Sequence, residues 1–546
     1  MHGWAGIFHH WQSPPLSMSE GHAAPNADGY GVNWEYNLGT KEDPTRFGYD
    51  EILGRCAAIG YANGIQPLID HVPHQRAGMR NGVSNYKTLS GYPGRFPKTP
   101  GCFMSVNNPQ GPFVNGVDNL GRVPRDPIAG WVGDDFAFGD ELCPINSVPK
   151  GYVLNGLIDS GDWIYRRIDA AGCRYDDTKG AAFEAVRKWS DAKAMKGKVV
   201  IGEFAAGDHD TLAWWVRELG FRCYTYDFEV KYRARDFCNN GSRYNMAQLS
   251  RSGLASLGWP YSMCAVTFIE NADSDTNGFG SVIFNKLLGY AWILTSEGWP
   301  SVYYRDYAED KYCYGLKPHI DNLSWIHNHL ANGPTWYRHA EYQFVVYERQ
   351  GWPGLLVGLN NDIWGGWKKV TVQTSFGPHV LLHDYAGHAE NDVWTDGNGN
   401  ATIWIPPNDN GAGYSCWSRE GLGKPTVFHP HSTVQRFEGA DDLVHNQVAA
   451  PKATTPVQRI WCAAHTRITL TETTGAEPLA FSVTGPDGTT LQTVPVDRPA
   501  TGRIGFQTSE RGWHSIAVTN FSEVARVPYI VDAEYTAPAV LTAGDF

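Results

Sequence analysis

Short apolar runs, each closed by a polar or charged position, recur along the chain from residue 64 onward. They are "GIQPLIDHV" (64–72), "GCRYD" (172–176), "KVVIGEF" (198–204), "FRCYTYDFE" (221–229), "MCAVTFIEN" (263–271) and "PSVYYRD" (300–306). Their length and β-branched or aromatic content predict strands. Between them, residues 181–196, 209–219 and 283–295 carry apolar positions at helical spacing and are predicted helices. Strand and helix in repetition predict a parallel sheet, and this many repeats predict a TIM (β/α)8-type barrel rather than an open sheet. An earlier unit is "WAGIFHH" (4–10), a loop "ADGYGVNWEYNLGT" and a helix near 47–62.

The pattern breaks twice. Residues 75–145 are rich in Gly, Asn and Pro with little helical periodicity, too long for a plain loop, and are expected to form an irregular inserted subdomain. After a helix at 319–331 the chain alternates with period two, in "EYQFVVYER", "GLLVGLNND", "KKVTVQTS" and "NATIWIPP". Alternation resumes beyond a linker near 449–456, in "RITLTET", "LAFSVTGPDGTTLQTV", "GWHSIAVTN" and "PYIVDAEY". The expected organisation is a barrel over 1–74 and 146–333, the insertion over 75–145, a C-terminal β-sandwich over 334–422 and a further β-sandwich with its linker over 423–546.

Composition narrows the picture. A chain of 546 residues exceeds one core and suits two to four domains. The net charge of −12, with charged residues at only 19%, lacks the basic footprint of a nucleic-acid binder. Aromatics at 13%, with 21 Trp, supply flat apolar faces of the kind that stack on sugar rings, although most Trp belong to cores. The ten cysteines form no CxxC pair, so neither a zinc site nor a required disulfide is read. No run approaches the roughly 18–20 apolar residues of a membrane helix, and "MHGWAGIFHHWQ" lacks the pattern of a signal peptide. No membrane or nucleic-acid partner is expected; the compartment is not specified.

Reactive groups of a βα barrel sit at the C-terminal ends of its strands, and three carboxylates here do so: Asp176, Glu203 and Asp273. If 172–176 is extended, Arg174 and Asp176 share one face while Asp177 points away, and the guanidinium keeps Asp176 ionised. Paired acids flanking a cleft are the equipment of glycoside hydrolysis.

At these residues the sequence resembles the α-amylase family of glycoside hydrolases, over about residues 4–420. "LIDHVPHQ", "GCRYDDTKG", "IGEF" and "FIENADSD" are similar to the motifs on that family's third, fourth, fifth and seventh strands. The resemblance implies that Asp176 is the nucleophile, Glu203 the general acid/base and Asp273 the transition-state stabiliser. It implies that Arg174 orients the nucleophile and Tyr30 stacks under the sugar at the cleavage point. Gln75, Lys179, Asn271 and Ala272 fall on substrate-binding positions. The chain departs from the family at His74-Gln75, which stand for Asn-His, at Lys179-Gly180 for Lys-His, and at Ala272 for His. Two imidazoles that would bond the sugar are absent, which bears on sugar specificity rather than on the reaction. The family's first strand and helix find no counterpart before "WAGIFHH". No cofactor is required. Calcium is common in the family, but His74 in place of the Asn, with only a loose match for a further acid at Asp140 or Glu141, disfavours it. His71 and His74 lack a firm third ligand for a transition metal.

The expected function is a retaining α-glycosidase acting on an α-glucan or related α-linked oligosaccharide or polysaccharide, through a covalent glycosyl-enzyme intermediate. The rivals are a transglycosylase of the same family and a non-catalytic carbohydrate-binding or scaffold protein on the same fold.

Overall fold

The computed structural model describes residues 17–18, 32–42, 44–45, 48–76, 79–80, 83–84, 95–105, 111–126, 140–275, 280–423, 430–439, 449–473, 479–495, 503–523 and 526–542. A series of strands runs through them: β1 (Leu68–His71), β2 (Gly172–Tyr175), β3 (Val199–Gly202), β4 (Tyr224–Tyr226), β5 (Ala265–Thr267) and β6 (Trp299–Pro300). Helices alternate with them: α1 (Asp50–Ala62), α2 (Tyr152–Ile168), α3 (Phe183–Ser190), α4 (His209–Glu218), α5 (Phe228–Asn240), α6 (Lys286–Thr295) and α7 (Lys317–His329). The strand expected at 4–10 lies outside the described residues. No helix among the described residues is long and apolar enough to cross a membrane.

Three strands stop earlier than their apolar runs suggest. In "MCAVTFIEN" only Ala265–Thr267 is extended, so Asp273 lies six residues past the strand end rather than at it. In "FRCYTYDFE" only Tyr224–Tyr226 is extended, because the Asp227 carboxylate accepts the N–H of Val230 at 3.2 Å and starts α5. In "PSVYYRD" the strand ends at Pro300, and a helical turn begins at Tyr304.

The chain divides into two compact units, one of residues 10–200 with 428–546 and one of residues 201–427. In the first, β1 and β2 pair in parallel with Asp70 opposite Arg174 and His71 opposite Tyr175. β3 enters beside them, its Val199 N–H donating to Ala171 O at 3.2 Å. The described part of 75–145 is a small irregular body. Gln75–Arg76 pairs antiparallel with Asp140–Glu141, and Met104, Val123 and Cys143 form a local core.

Residues 433–535 of the same unit form two four-stranded antiparallel sheets. Their core continues into α1: Ala58 and Ala62 pack with Phe437, Val457, Leu470 and Val531. The seam is polar at its rim. Arg459 Nε donates to both carboxylate oxygens of Glu51 at 3.0 Å, Arg167 pairs with Asp50, and the Gln435 amide donates to Gly54 O at 2.9 Å. Gly54 suits this close approach, since a Cβ would lie 3.2 Å from Gln435 Oε1 and push the amide back. This β region is built onto the helices of the βα region rather than tethered beside them.

In the second unit, Ile201 and Gly202 pair with β4, β4 with β5 and β5 with β6, all in parallel. Residues 335–419 follow as a six-stranded antiparallel sheet and a two-stranded one. Val346, Leu356, Val370, Ile403, Ile405 and Trp417 fill the space between them; burial alternates along Lys368–Gln373 and Asn400–Ile405, as the period-two pattern predicts, whereas Phe344–Arg349 and Leu355–Asn360 are buried on both faces.

Candidate active site

The residues singled out from the sequence fall into both units, with Gln75, Arg174, Asp176 and Lys179 in the first and Glu203, Asn271, Ala272 and Asp273 in the second. Tyr30 lies outside the described residues.

In the first unit the site is organised by one guanidinium. Arg174 Nη1 donates to Asp176 Oδ1 at 2.6 Å and to Asp70 Oδ1 and Oδ2 at 2.9 and 3.1 Å. Asp70 is fully buried and Arg174 nearly so, whereas Asp176 keeps some exposure at the strand end. The Asp176 N–H also donates to His71 O at 2.8 Å, which ties the residue after β2 to the end of β1. Backbone and side chain of Asp176 are therefore both held, by a charge-assisted bond on the side-chain end. Asp177 departs from the strand with φ +35° and opens the 3-10 turn Thr178–Gly180, on which Lys179 sits half-buried.

His74 and Gly180 fit one another. A Cβ on Gly180 would stand 2.5 Å from His74 Cδ2, so the imidazole takes the space that any other residue at 180 would need. His74 Nε2 lies 3.8 Å from Asp177 Oδ2 and 3.9 Å from Glu141 Oε1, and His74 is almost fully buried. Burial, with Arg76 adding to it, pushes both His71 and His74 down to about 3, so both are neutral rings at ordinary pH. His71 packs against Trp189, ring centroids 4.9 Å apart, as a core aromatic. Gln75 is buried, and its Oε1 has no hydrogen-bond partner among the described residues.

In the second unit, Glu203 directly follows β3, and packing of its neighbours sets its place. A Cβ on Gly202 would lie 2.3 Å from Trp215 Cη2, so only glycine lets α4 approach, and Phe204 stacks on Trp215 with centroids 5.4 Å apart. Glu203 itself stays half-buried. Beyond β5, Asn271 Nδ2 donates to Asp273 Oδ2 at 3.3 Å, and Asn271 Oδ1 accepts the Ser274 N–H at 3.0 Å. Ala272 and Asp273 are exposed.

Sequence reasoning missed two buried charge clusters that support these residues. In the first unit Glu35 accepts from Arg76 Nε at 3.0 Å and Lys98 Nζ at 2.5 Å. Burial opposes the charge on Glu35, but Lys98 and Arg76 hold its carboxyl below the usual range. In the second, Glu270, one residue before Asn271, accepts the Val282 N–H at 2.8 Å and faces Lys286 Nζ at 3.3 Å and Lys231 Nζ at 3.9 Å. Lys286 also pairs with Asp306 at 2.7 Å; burial works against its charge, but the two carboxylates outweigh this and raise its pKa. Asp70 was likewise missed as the second acid on Arg174. Its one signal was an acid closing an apolar run, in "PLIDHV".

This architecture defines a class: parallel βα units with carboxylates at strand ends, followed by antiparallel β domains. The Alpha-amylase C-terminal family model matches residues 355–418. An α-amylase of Bacillus licheniformis is 25% identical over 273 residues, a match spanning 47% of this chain and 52%, about half, of that relative. Among solved structures, α-amylase from Geobacillus thermoleovorans complexed with acarbose superposes with a TM-score of 0.54 at 12% identity, covering 75% of this chain and 88% of that one. CldA, a cyclomaltodextrin glucanotransferase with a three-domain ABC distribution, gives 0.54 at 20% identity, covering 74% and 86%. The chain carries an α-amylase C-terminal domain and is related to the α-amylase family of glycoside hydrolases.

Proposed function

We propose that this protein is a retaining α-glycosidase that acts on α-linked glucans or related oligosaccharides. The observation that carries the reading is the Arg174 guanidinium shared between buried Asp70 and the strand-end Asp176. A carboxylate kept ionised and aimed by a fixed cation is what attack on an anomeric carbon requires. In this reading Asp176 forms the glycosyl ester. Glu203 protonates the departing oxygen and then takes a proton from water, and Asp273 supports the oxocarbenium-like charge. Gln75, Lys179, Asn271 and Ala272 line the sugar. The relation to an α-amylase and the fold shared with a glucanotransferase support an α-glucan substrate, and the same intermediate could be resolved by a sugar hydroxyl instead of water.

Calcium finds a poor seat at the position where the resembling family holds it. His74 stands there as a neutral imidazole nested over Gly180, a donor unsuited to a hard, oxygen-seeking cation. No step of the reaction is routed through a metal.

The test is a screen of maltodextrins and isomaltose-, sucrose- and trehalose-type substrates, with the first-formed anomer read by proton NMR. The α-anomer supports the retaining reading. The β-anomer, or no turnover of any α-linked sugar, overturns it. Product analysis at high sugar concentration separates hydrolysis from transfer.

A further inference from the structure

A cavity of about 490 Å³ opens in the second unit, well inside the roughly 300–1,000 Å³ span of small-molecule sites. It is lined from residues 249–262, from α6 and the two residues after it, and from 334–337. None of Glu203, Asn271, Ala272 and Asp273 lines it; Ser262 precedes β5, Thr267 ends β5 and Glu297 precedes β6. Two tryptophans at its wall, Trp259 and Trp336, remain 79% and 58% exposed and leave indole faces open to a ligand.

The polar lining has one character. Ser250, Ser252 and Ser256 each donate their hydroxyl hydrogen to a backbone carbonyl, of Ala247, Gln248 and Gly253 respectively. Each oxygen keeps lone-pair capacity to accept a further hydrogen bond. Glu297 takes the Thr335 N–H on one carboxylate oxygen at 2.6 Å and keeps acceptor capacity on the other. The hydroxyls of Thr267 and Thr335, also in the lining, have no hydrogen-bond partner among the described residues. Glu297 is the sole charged group among the lining residues. Hydroxyls and a single carboxylate without a lining cation, beside exposed indole faces, suit a neutral ligand rich in hydroxyls with apolar ring faces.

We propose that this cavity is a second carbohydrate-binding site, taking a segment of an α-linked glucan apart from the site of cleavage. The choice of an α-glucan rests on the proposed function above; the site itself rests on the cavity and its lining. The stacking faces are Trp259 and Trp336, and the serine row with Glu297 receives sugar hydroxyls.

The experiment is affinity electrophoresis of the full chain in native gels containing soluble starch, alongside maltotriose turnover. Trp259→Ala and Trp336→Ala, both at exposed side chains, should each weaken starch retention about tenfold and leave maltotriose turnover unchanged, while Trp259→Tyr should retain most of the binding. Equal retention of wild type and both alanine variants overturns the proposal and leaves the functional reading standing if maltotriose is still cleaved. Retention lost in the variants of a chain that cleaves no α-glucan supports the site and overturns the functional reading. No retention of the wild type overturns the site outright.

Discussion

The two units hold their candidate carboxylates in different settings. In the first unit, charge does it: one guanidinium spans Asp70 and Asp176. In the second, Glu203 is set by its neighbours, Gly202 and Phe204, both packed on Trp215. The charge cluster of that unit sits one step back, at Glu270 with Lys231, Lys286 and Asp306. A fixed cation beside Asp176 favours its charged form, as a nucleophile requires, and the packing of Gly202 and Phe204 holds the backbone from which the proposed acid/base projects.

The sharpest way to break this contrast is at the carboxylates themselves. Asp176→Asn and Glu203→Gln should each lower kcat on maltoheptaose by about 10⁴-fold or more, and Asp177→Asn by less than about tenfold. Circular dichroism should show all three folded. A large loss at Asp177 alone would reassign the nucleophile.

Next in size is the buried cluster. Lys286→Met leaves Glu270 and Asp306 without their shared cation and should cost about 3–5 kcal/mol of stability in the second unit, by urea denaturation. Little change would mean that Lys231 alone satisfies both acids.

Acid should separate the units. Among the described residues the first unit holds three histidines with lowered pKa, His71 and His74 at about 3 and His514 through partial burial, against one, His327 at about 4, in the second. For each, the unfolded chain binds more protons between the lowered value and 6.5, so stability is full above pH 6.5 and declines below it. For His71 and His74 the slope approaches about 1.4 kcal/mol per pH unit each. Hydrogen exchange from pH 7 to pH 4 should show peptides of 68–76 and 172–176 losing protection before those of 344–360. The reverse order would mean that these rings are not buried neutral in solution.

The smallest effect is expected at Ala272, exposed beside Asp273. Ala272→His adds one hydrogen bond to a sugar hydroxyl and should raise kcat/KM on maltoheptaose up to about tenfold if the pocket fits glucose. A fall would point to a sugar with differently oriented or substituted hydroxyls.

What the sequence determined alone is local. The strand-end positions of Asp176 and Glu203 follow from apolar runs that close on polar residues, whereas Asp273 lies six residues past the end of β5; the partnership of Arg174 with Asp176 follows from the two-residue period of an extended chain. Side-chain parity is a property of the backbone and needs no neighbour. Tertiary structure decided what depends on register between distant segments. Asp70 reaches Arg174 across 104 positions only because β1 and β2 pair in one particular parallel register. α1 shares a core with strands some 400 residues later, as the Arg459–Glu51 bond, 408 positions apart, also shows. The tryptophans at 259 and 336 looked like any others in the sequence; folding placed both at one cavity wall and left them exposed. Periodicity reports which face a residue takes, but which faces meet is set by loop closure and packing, whose energies are shared among residues far apart in the chain.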